Sequence, residues 1–169
     1  MATKVKIREF RNEDTSTVLR VINDSAKAYK SVLPPNVYKE PQMSLEEFLE
    51  EAKRIKFYVA EFEGKIVGVM GYEYVKDVCL IRHAYIKLGY QRIGIGTLLL
   101  KHLENLIKIE GKTRKLIVGT YAKAYWAIAF YRKHGFNPVS DSDSILRSYY
   151  KIPDIQRKNS VALKKSLTS

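Results

Sequence analysis

Glycines, an arginine and the start of an apolar helix carry the first chemical signal in this chain. Residues 91–96 read Gln91-Arg92-Ile93-Gly94-Ile95-Gly96. A run of strand formers at 79–86 precedes them. From Thr97 an amphipathic helix follows, with Leu99, Leu103, Leu106 and Ile107 at i, i+4, i+7 and i+8. A strand that passes through a glycine loop into a helix aims several backbone N–H groups at one point, where the helix dipole favours an anion. Glycine lets the backbone approach a bulky ligand and Arg92 adds a positive charge, so this chemistry suits a phosphate or pyrophosphate. Two better-known phosphate loops do not fit. The dinucleotide fingerprint asks for glycine where Leu99 stands, and the P-loop asks for lysine where Thr97 follows Gly96.

A second patterned stretch lies downstream, Ala127-Ile128-Ala129-Phe130-Tyr131-Arg132-Lys133-His134-Gly135-Phe136. The first stretch resembles the Q/R-x-x-G-x-G/A loop of the GNAT superfamily of acetyl-coenzyme A-dependent N-acetyltransferases. The second resembles that superfamily's helix ending in F/L-Y-x-K-x-G-F. Two motifs in this order and at this separation are far more specific than either alone, and with the strands around them the resemblance spans residues 66–139. Within the superfamily, RHAY, GTYAKAYWAIAFYRKHGF and LRSYYKIPDIQRKNSVAL together are similar to one subgroup. The resemblance implies one N-acetyltransferase domain over residues 1–169, of α/β (α+β) class, with a mixed twisted sheet of about 6–7 strands and helices on both faces. It implies transfer of an acetyl group from acetyl-CoA to a primary amine by direct attack in a ternary complex, with no metal.

Residue roles follow from the same resemblance. The loop residues Gln91, Arg92, Ile93, Gly94, Ile95, Gly96 and Thr97 would take the pyrophosphate. The end of the preceding strand, Ala84, Tyr85, Ile86, Lys87 and Leu88, would splay from its neighbour and hold the pantetheine arm, with Ala124, Ala127 and Phe130 completing the cofactor site. Relatives often carry Asn where Ala124 stands. Tyr131 matches the motif tyrosine and would act as general acid, its phenol near an unperturbed pKa of ~10 suiting a departing thiolate. Many relatives place a Glu base on the strand before the loop, but that face here reads Leu80, Arg82, Ala84 and Ile86. Glu73 and His83 stand as alternative bases, and a water relay is a third route. Arg82, which would bind an acidic group or pair with Glu73, joins Tyr29, Tyr121 and Tyr149 as candidate acceptor contacts. The segment 149–157 is expected to contact the acceptor or a second subunit. His102 and His134 read as solvated or capping, and Cys79 as buried.

Composition sets the bounds. At 169 residues and 46% hydrophobic content the chain can bury a substantial core. No apolar run reaches the ~18 residues of a membrane span, residues 1–10 alternate without a leader's apolar stretch, and one cysteine fits a reducing, cytoplasmic setting. The net charge of +12, from 30 Lys+Arg against 18 Asp+Glu, attracts polyanions. The cations are spread along the chain, so a lysine-rich surface ranks above nucleic-acid binding. The partners expected are therefore acetyl-CoA and an amine. A homodimer stays open, and a nucleic-acid- or ribosome-associated GNAT-like protein, or a non-catalytic CoA-binding regulator, ranks behind the enzyme.

The elements that must position these residues read in order. A period-2 strand at 4–10 with Val5, Ile7 and Glu9 on one face leads to a helix carrying Val18, Ile22 and Tyr29, stopped by Pro34-Pro35. Ser44-x-x-Glu47 is a capping box opening a helix with Leu45, Phe48, Leu49 and Ala52 as its apolar face. Strands at 57–62 and 65–74 form a hairpin about Glu63-Gly64. After the long helix, Gly111 is its C-terminal cap, 115–119 a buried strand, 124–134 a helix, and 136–139 and 160–167 closing strands. One short helix is expected between 140 and 159, broken by Pro153.

Overall fold

The computed structural model describes residues 4–168; of the expected N-terminal strand and the domain range 1–169, residues 1–3 and 169 lie outside the described residues. Seven strands form one mixed sheet in the order β1-β2-β3-β4-β5-β7-β6. These are β1 Val5–Glu9, β2 Lys56–Phe62, β3 Lys65–Val75, β4 Val78–Ile86, β5 Lys115–Tyr121, β6 Asn137–Pro138 and β7 Ser160–Ser166. All neighbours pair antiparallel except β4 and β5. The helices are α1 Thr15–Ala26, α2 Leu45–Glu51, α3 Ile95–Glu110, α4 Tyr125–Lys133, α5 Ser142–Tyr149 and α6 Asp154–Lys158, with a 3-10 turn at Lys27–Ser31 after α1.

Strand alternation assigns the two faces. Tyr58 and Ala60, Cys79 and Ile81, Leu116 and Val118, and Leu163 point to one side, where Leu99, Leu103 and Ile107 of α3 and Tyr131 of α4 complete the larger core. Phe57 and Val59 point to the other, under Val18, Ile22 and Phe48 of α1 and α2. Further along that side Leu80, Ile117 and Ala162 meet Leu146 of α5. Helices thus cover both faces, as expected.

Local chemistry sets the turns. Glu63 and Gly64 both take positive φ (51° and 77°), the twist a two-residue hairpin needs between Phe62 and its partner Lys65. Ser44 caps α2 by accepting from the Glu47 N–H at 3.1 Å, and Glu47 accepts from the Ser44 N–H at 3.3 Å. Gly111 ends α3 at φ 67°, bonding back to Ile107.

Three expectations need correction. Leu45 and Leu49 are 50% and 49% exposed, because α2 is only seven residues long and buries Phe48 alone. Glu9 is exposed while Val5 and Ile7 pack on the core, a carboxylate gaining nothing from that apolar face. The stretch 140–159 forms two helices, not one: α5 ends before Pro153, which instead caps α6.

Candidate functional site

The sheet opens at its centre. β4 and β5 pair only through Cys79–Ile81 against Leu116–Val118. Beyond that β4 stays with β3 and β5 stays with β7, so each presents an unpaired edge to the other. A bulge lies where they part: Val69 faces Tyr85 and Gly71 faces Arg82, leaving His83 and Ala84 opposite Met70 alone. His83 sits there at φ 52°, a left-handed conformation costly for a non-glycine residue.

β4 runs on into the glycine loop. Gln91 folds back to donate to the Ile86 carbonyl at 3.1 Å, which the Ser25 hydroxyl also reaches at 3.0 Å. Gly89, Arg92 and Gly94 hold positive φ (90°, 65° and 93°), turning the chain so that α3 begins at Ile95, two residues earlier than expected. Leu98 is the first residue to bond back, to the Gly94 carbonyl at 3.0 Å, so the N–H groups before it face outward at the helix N-terminus. At Gly96 a Cβ would stand 3.2 Å from the Phe130 ring, so glycine is what lets α3 and α4 converge here.

Between the parted strands lies a cavity of about 120 Å³. Its walls include Tyr29, Gln42, Arg82, His83, Ala84, Tyr85, Thr120, Tyr121, Ala127, Tyr131, Leu146, Tyr150 and Gln156. The sheet's opening, an anion-ready helix start and a tyrosine-walled cavity all lie on segments whose sequence carries the two motifs, and residues 53–138 match the family model described as acetyltransferase (GNAT) domain. The chain belongs to the GNAT acetyltransferase family. It is an acetyl-CoA-dependent N-acetyltransferase.

An N-alpha-acetyltransferase of Sulfolobus acidocaldarius is 28% identical over 155 residues, covering 85% of this chain and 88% of that relative. The PaiA N-acetyltransferase of Thermoplasma acidophilum, solved in complex with coenzyme A, superposes with a TM-score of 0.78 at 19% identity over 96% of this chain and 98% of that one. The ribosomal-protein-S18-alanine N-acetyltransferase of Escherichia coli gives 0.72 at 18% identity over 98% and 95%. At such identities the structural likeness speaks for the fold.

In this GNAT domain Tyr131 lies on α4, 5% exposed, with its ring between Phe130 and Phe136. Burial holds its phenol well above the ordinary tyrosine range. Tyr29, at the turn after α1, packs its ring 4.8 Å from Tyr121 and 5.9 Å from Trp126, and burial pushes its phenol up to about 12. The segment carrying it crosses the β5–α4 connection, packing Leu33 and Val37 against Tyr121 and Ala124.

Under the bulge lies a charged network. Arg82 donates to Glu73 at 2.5 Å and to Glu51 at 3.1 Å, while its guanidinium stacks 5.2 Å from the Tyr150 ring. Arg54 holds the other Glu73 oxygen at 3.0 Å. His83 Nε2 meets Glu51 Oε1 at 2.6 Å. With Nε2–H donating to an ionised carboxylate, Nδ1 keeps its lone pair. Burial, aided by the Arg82 charge, lowers the His83 pKa; Glu51 pulls it partly back. For Glu51 burial acts upward, but the His83 bond and the His83, Arg82 and Arg54 charges outweigh it and hold the carboxyl low.

The structure brings Tyr29, Arg82, His83, Ala84, Tyr85, Tyr121, Ala127 and Tyr131 to the cavity. Glu73 is not on its wall and both its oxygens are engaged. Tyr149 is misplaced by one residue: it points out to Asp77 at 3.0 Å, and Tyr150, in extended backbone after α5, turns inward instead. The Ile95 side chain is in the core and Ala124 is packed under Leu33, so only their backbone is free to serve a cofactor. Ile86 packs against Gly68 and Gly96, Lys87 lies over Tyr90, and Leu88 and Ile93 are half exposed. Thr97 is bonded at 3.0 Å to His134, which is the C-cap residue of α4, as expected of it. Sequence reading missed Gln42, Glu51, Thr120, Leu146 and Gln156. Glu51 is one of four glutamates on a short helix that reads as solvated, and nothing local marks the others.

Proposed function

We propose that acetyl transfer takes place in the cavity between β4 and β5, with Tyr131 as general acid and His83 as general base. One observation carries this reading: a buried phenol and an imidazole with a free Nδ1 line the same small cavity at the point where the sheet parts. The outward N–H groups at 93–97 and Arg92 suit the pyrophosphate, with Gln91 shaping the loop; the exposed edges of Ala84–Leu88 and 119–121 suit the pantetheine amides, with Ala127 and Phe130 as apolar backing.

The bonds balance simply. The amine lone pair attacks the thioester carbonyl, an N–C bond forms and the C–S bond breaks. His83 Nδ1 takes the proton the nitrogen loses, and Tyr131 gives one to the leaving sulfur. Solvent then returns a proton from His83 to Tyr131. Glu73, neutralised by two guanidinium groups, is the weaker base candidate and serves to hold Arg82.

The acceptor proposed is a peptide α-amine, on the strength of the N-alpha-acetyltransferase similar along most of both chains. We further read residues 1–169 as one catalytic domain working in the cytoplasm; among the described residues no helix is long and apolar enough to cross a membrane. Polyanion binding rests on the +12 charge alone and is the second reading. The deciding experiment incubates the protein with acetyl-CoA and tetrapeptides, free lysine or n-butylamine, following CoA release and product mass. Acetylated peptide N-termini, lost on Tyr131→Phe and His83→Gln, are expected. Transfer only to n-butylamine or lysine would overturn the peptide assignment.

A further inference from the structure

Buried side-chain polar atoms are almost always paired, because losing water without a replacement bond is costly. Among the described residues the amide oxygen of Gln42 is left without a partner. Gln42 lines the cavity, with its amide beside the Tyr121 phenol. Its oxygen is therefore an unfilled acceptor at the wall of that cavity, shielded from water in this structure.

The backbone beside Gln42 is fixed. Asn23 on α1 clamps the next residue with two bonds, its amide nitrogen donating to the Met43 carbonyl and its oxygen accepting from the Met43 N–H, each at 2.9 Å. Met43 itself is 3% exposed in the core beneath α2, and Ser44 begins the capping box. A glutamine needed only for folding would have no reason to be held in the one arrangement that strands its oxygen. A preorganised acceptor group is what a binding site requires.

We infer that Gln42 is an acceptor-binding residue whose side-chain oxygen takes a hydrogen bond from the first peptide N–H of the substrate, so that the enzyme recognises an amide beside the reacting amine. This rests on the peptide reading above. It implies discrimination against amines of similar size that lack that N–H, since such an acceptor leaves the oxygen stranded. Arg82, paired to Glu51 and Glu73, is not free to bind the acceptor, whereas the Gln42 oxygen has no partner to give up.

The test uses the full chain, the tetrapeptide beginning with Ala, Ser, Gly or Met that is acetylated fastest, and its analogue with an ester oxygen in place of the first peptide N–H. Wild type should favour the peptide by about 3- to 10-fold in kcat/KM, the worth of one neutral hydrogen bond. Gln42→Met, similar in volume, should lower the peptide to the level of the ester while leaving the ester and the KM for acetyl-CoA unchanged. Gln42→Glu, which keeps an acceptor oxygen, should retain the preference and covers the case in which Gln42→Met fails to fold. Equal rates on peptide and ester by wild type, or equal losses on both in Gln42→Met, would overturn the inference with peptide acetylation intact. Acetylation of n-butylamine but of no peptide would overturn both readings together, and the two kinds of failure are thus distinct.

Discussion

Tyr131→Phe separates a catalytic phenol from a core ring. The hydroxyl faces the cavity, and the groups acting on it are burial and the phenols of Tyr29 and Tyr150, with no hydrogen bond among them. Removing the oxygen therefore breaks no bond that holds the fold. A hydroxyl buried without a partner costs ~1–3 kcal/mol, and much of that is spared by the cavity, so the variant should lie between unchanged and about 1 kcal/mol more stable. For a chain of this size that is a Tm change of roughly 0 to +4 °C. If the phenol protonates the departing sulfur, kcat falls by ~10²–10⁴. Because burial holds the phenol above its ordinary range, Tyr131 adds no alkaline limb to kcat/KM in wild type below pH ~10. Thermal unfolding followed by circular dichroism, alongside CoA release and product mass, reads both quantities. A kcat within threefold of wild type would refute the acid role. A fall in stability beyond ~1 kcal/mol would show that the hydroxyl has a structural bond.

Glu51→Gln removes the carboxylate that His83 Nε2 meets, leaving burial, Arg82 and the more distant Glu73 to set the imidazole. The first two pull its pKa down, so the acid limb of kcat/KM, where His83 gains its proton and the rate drops, should move to lower pH. A pH–rate profile with that limb unmoved or raised would count against the pair. Asn23→Ala strands both backbone groups of Met43 and should cost ~1–3 kcal/mol, raising the acceptor KM while the acetyl-CoA KM holds. Phe48→Ala, at a fully buried ring stacked 5.1 Å from Phe57, should lower urea stability by ~3–5 kcal/mol. Cys79 is fully buried and its thiol is pushed up to about 12 by burial, so a thiol reagent should label it only in denaturant. Rapid labelling of the native protein would contradict that packing.

Glycine and strand patterns were the legible part of this fold. The Glu63-Gly64 turn, the Gly111 cap and the loop before α3 each need backbone that few other residues adopt, so the residue type announces the conformation. Alternation placed Val5 and Ile7 on the core face of β1 for an equally local reason. Tertiary context decided the rest. Nothing in Arg82-His83-Ala84 signals a bulge, because it depends on the register against Gly71. Tyr149 and Tyr150 are alike in type, and which of them faces the cavity turns on where α5 stops. Arg157, further along the chain, ties the first turn of α5 to α6 through Asp143 and Asp154 at 2.9 and 2.7 Å, a contact between segments that local sequence does not show.

The unequal legibility of the two halves has a physical origin with consequences for specificity. The proposed cofactor half is made of backbone: a helix start, glycines at φ 93° and 90°, and two unpaired strand edges. Backbone groups are the same in every residue, so Leu88 and Ile93, half exposed beside them, can change with little effect on acetyl-CoA. The proposed acceptor half is made of side chains from segments far apart in the chain, with Gln42 and Glu51 between β1 and β2 and Tyr150 and Gln156 after α4. Each is positioned by a separate contact, the Asn23 clamp for one and the Arg157 tie for others. A substitution in any one segment can therefore alter the acceptor without disturbing the thioester, and it is on this half that the choice of amine must be made.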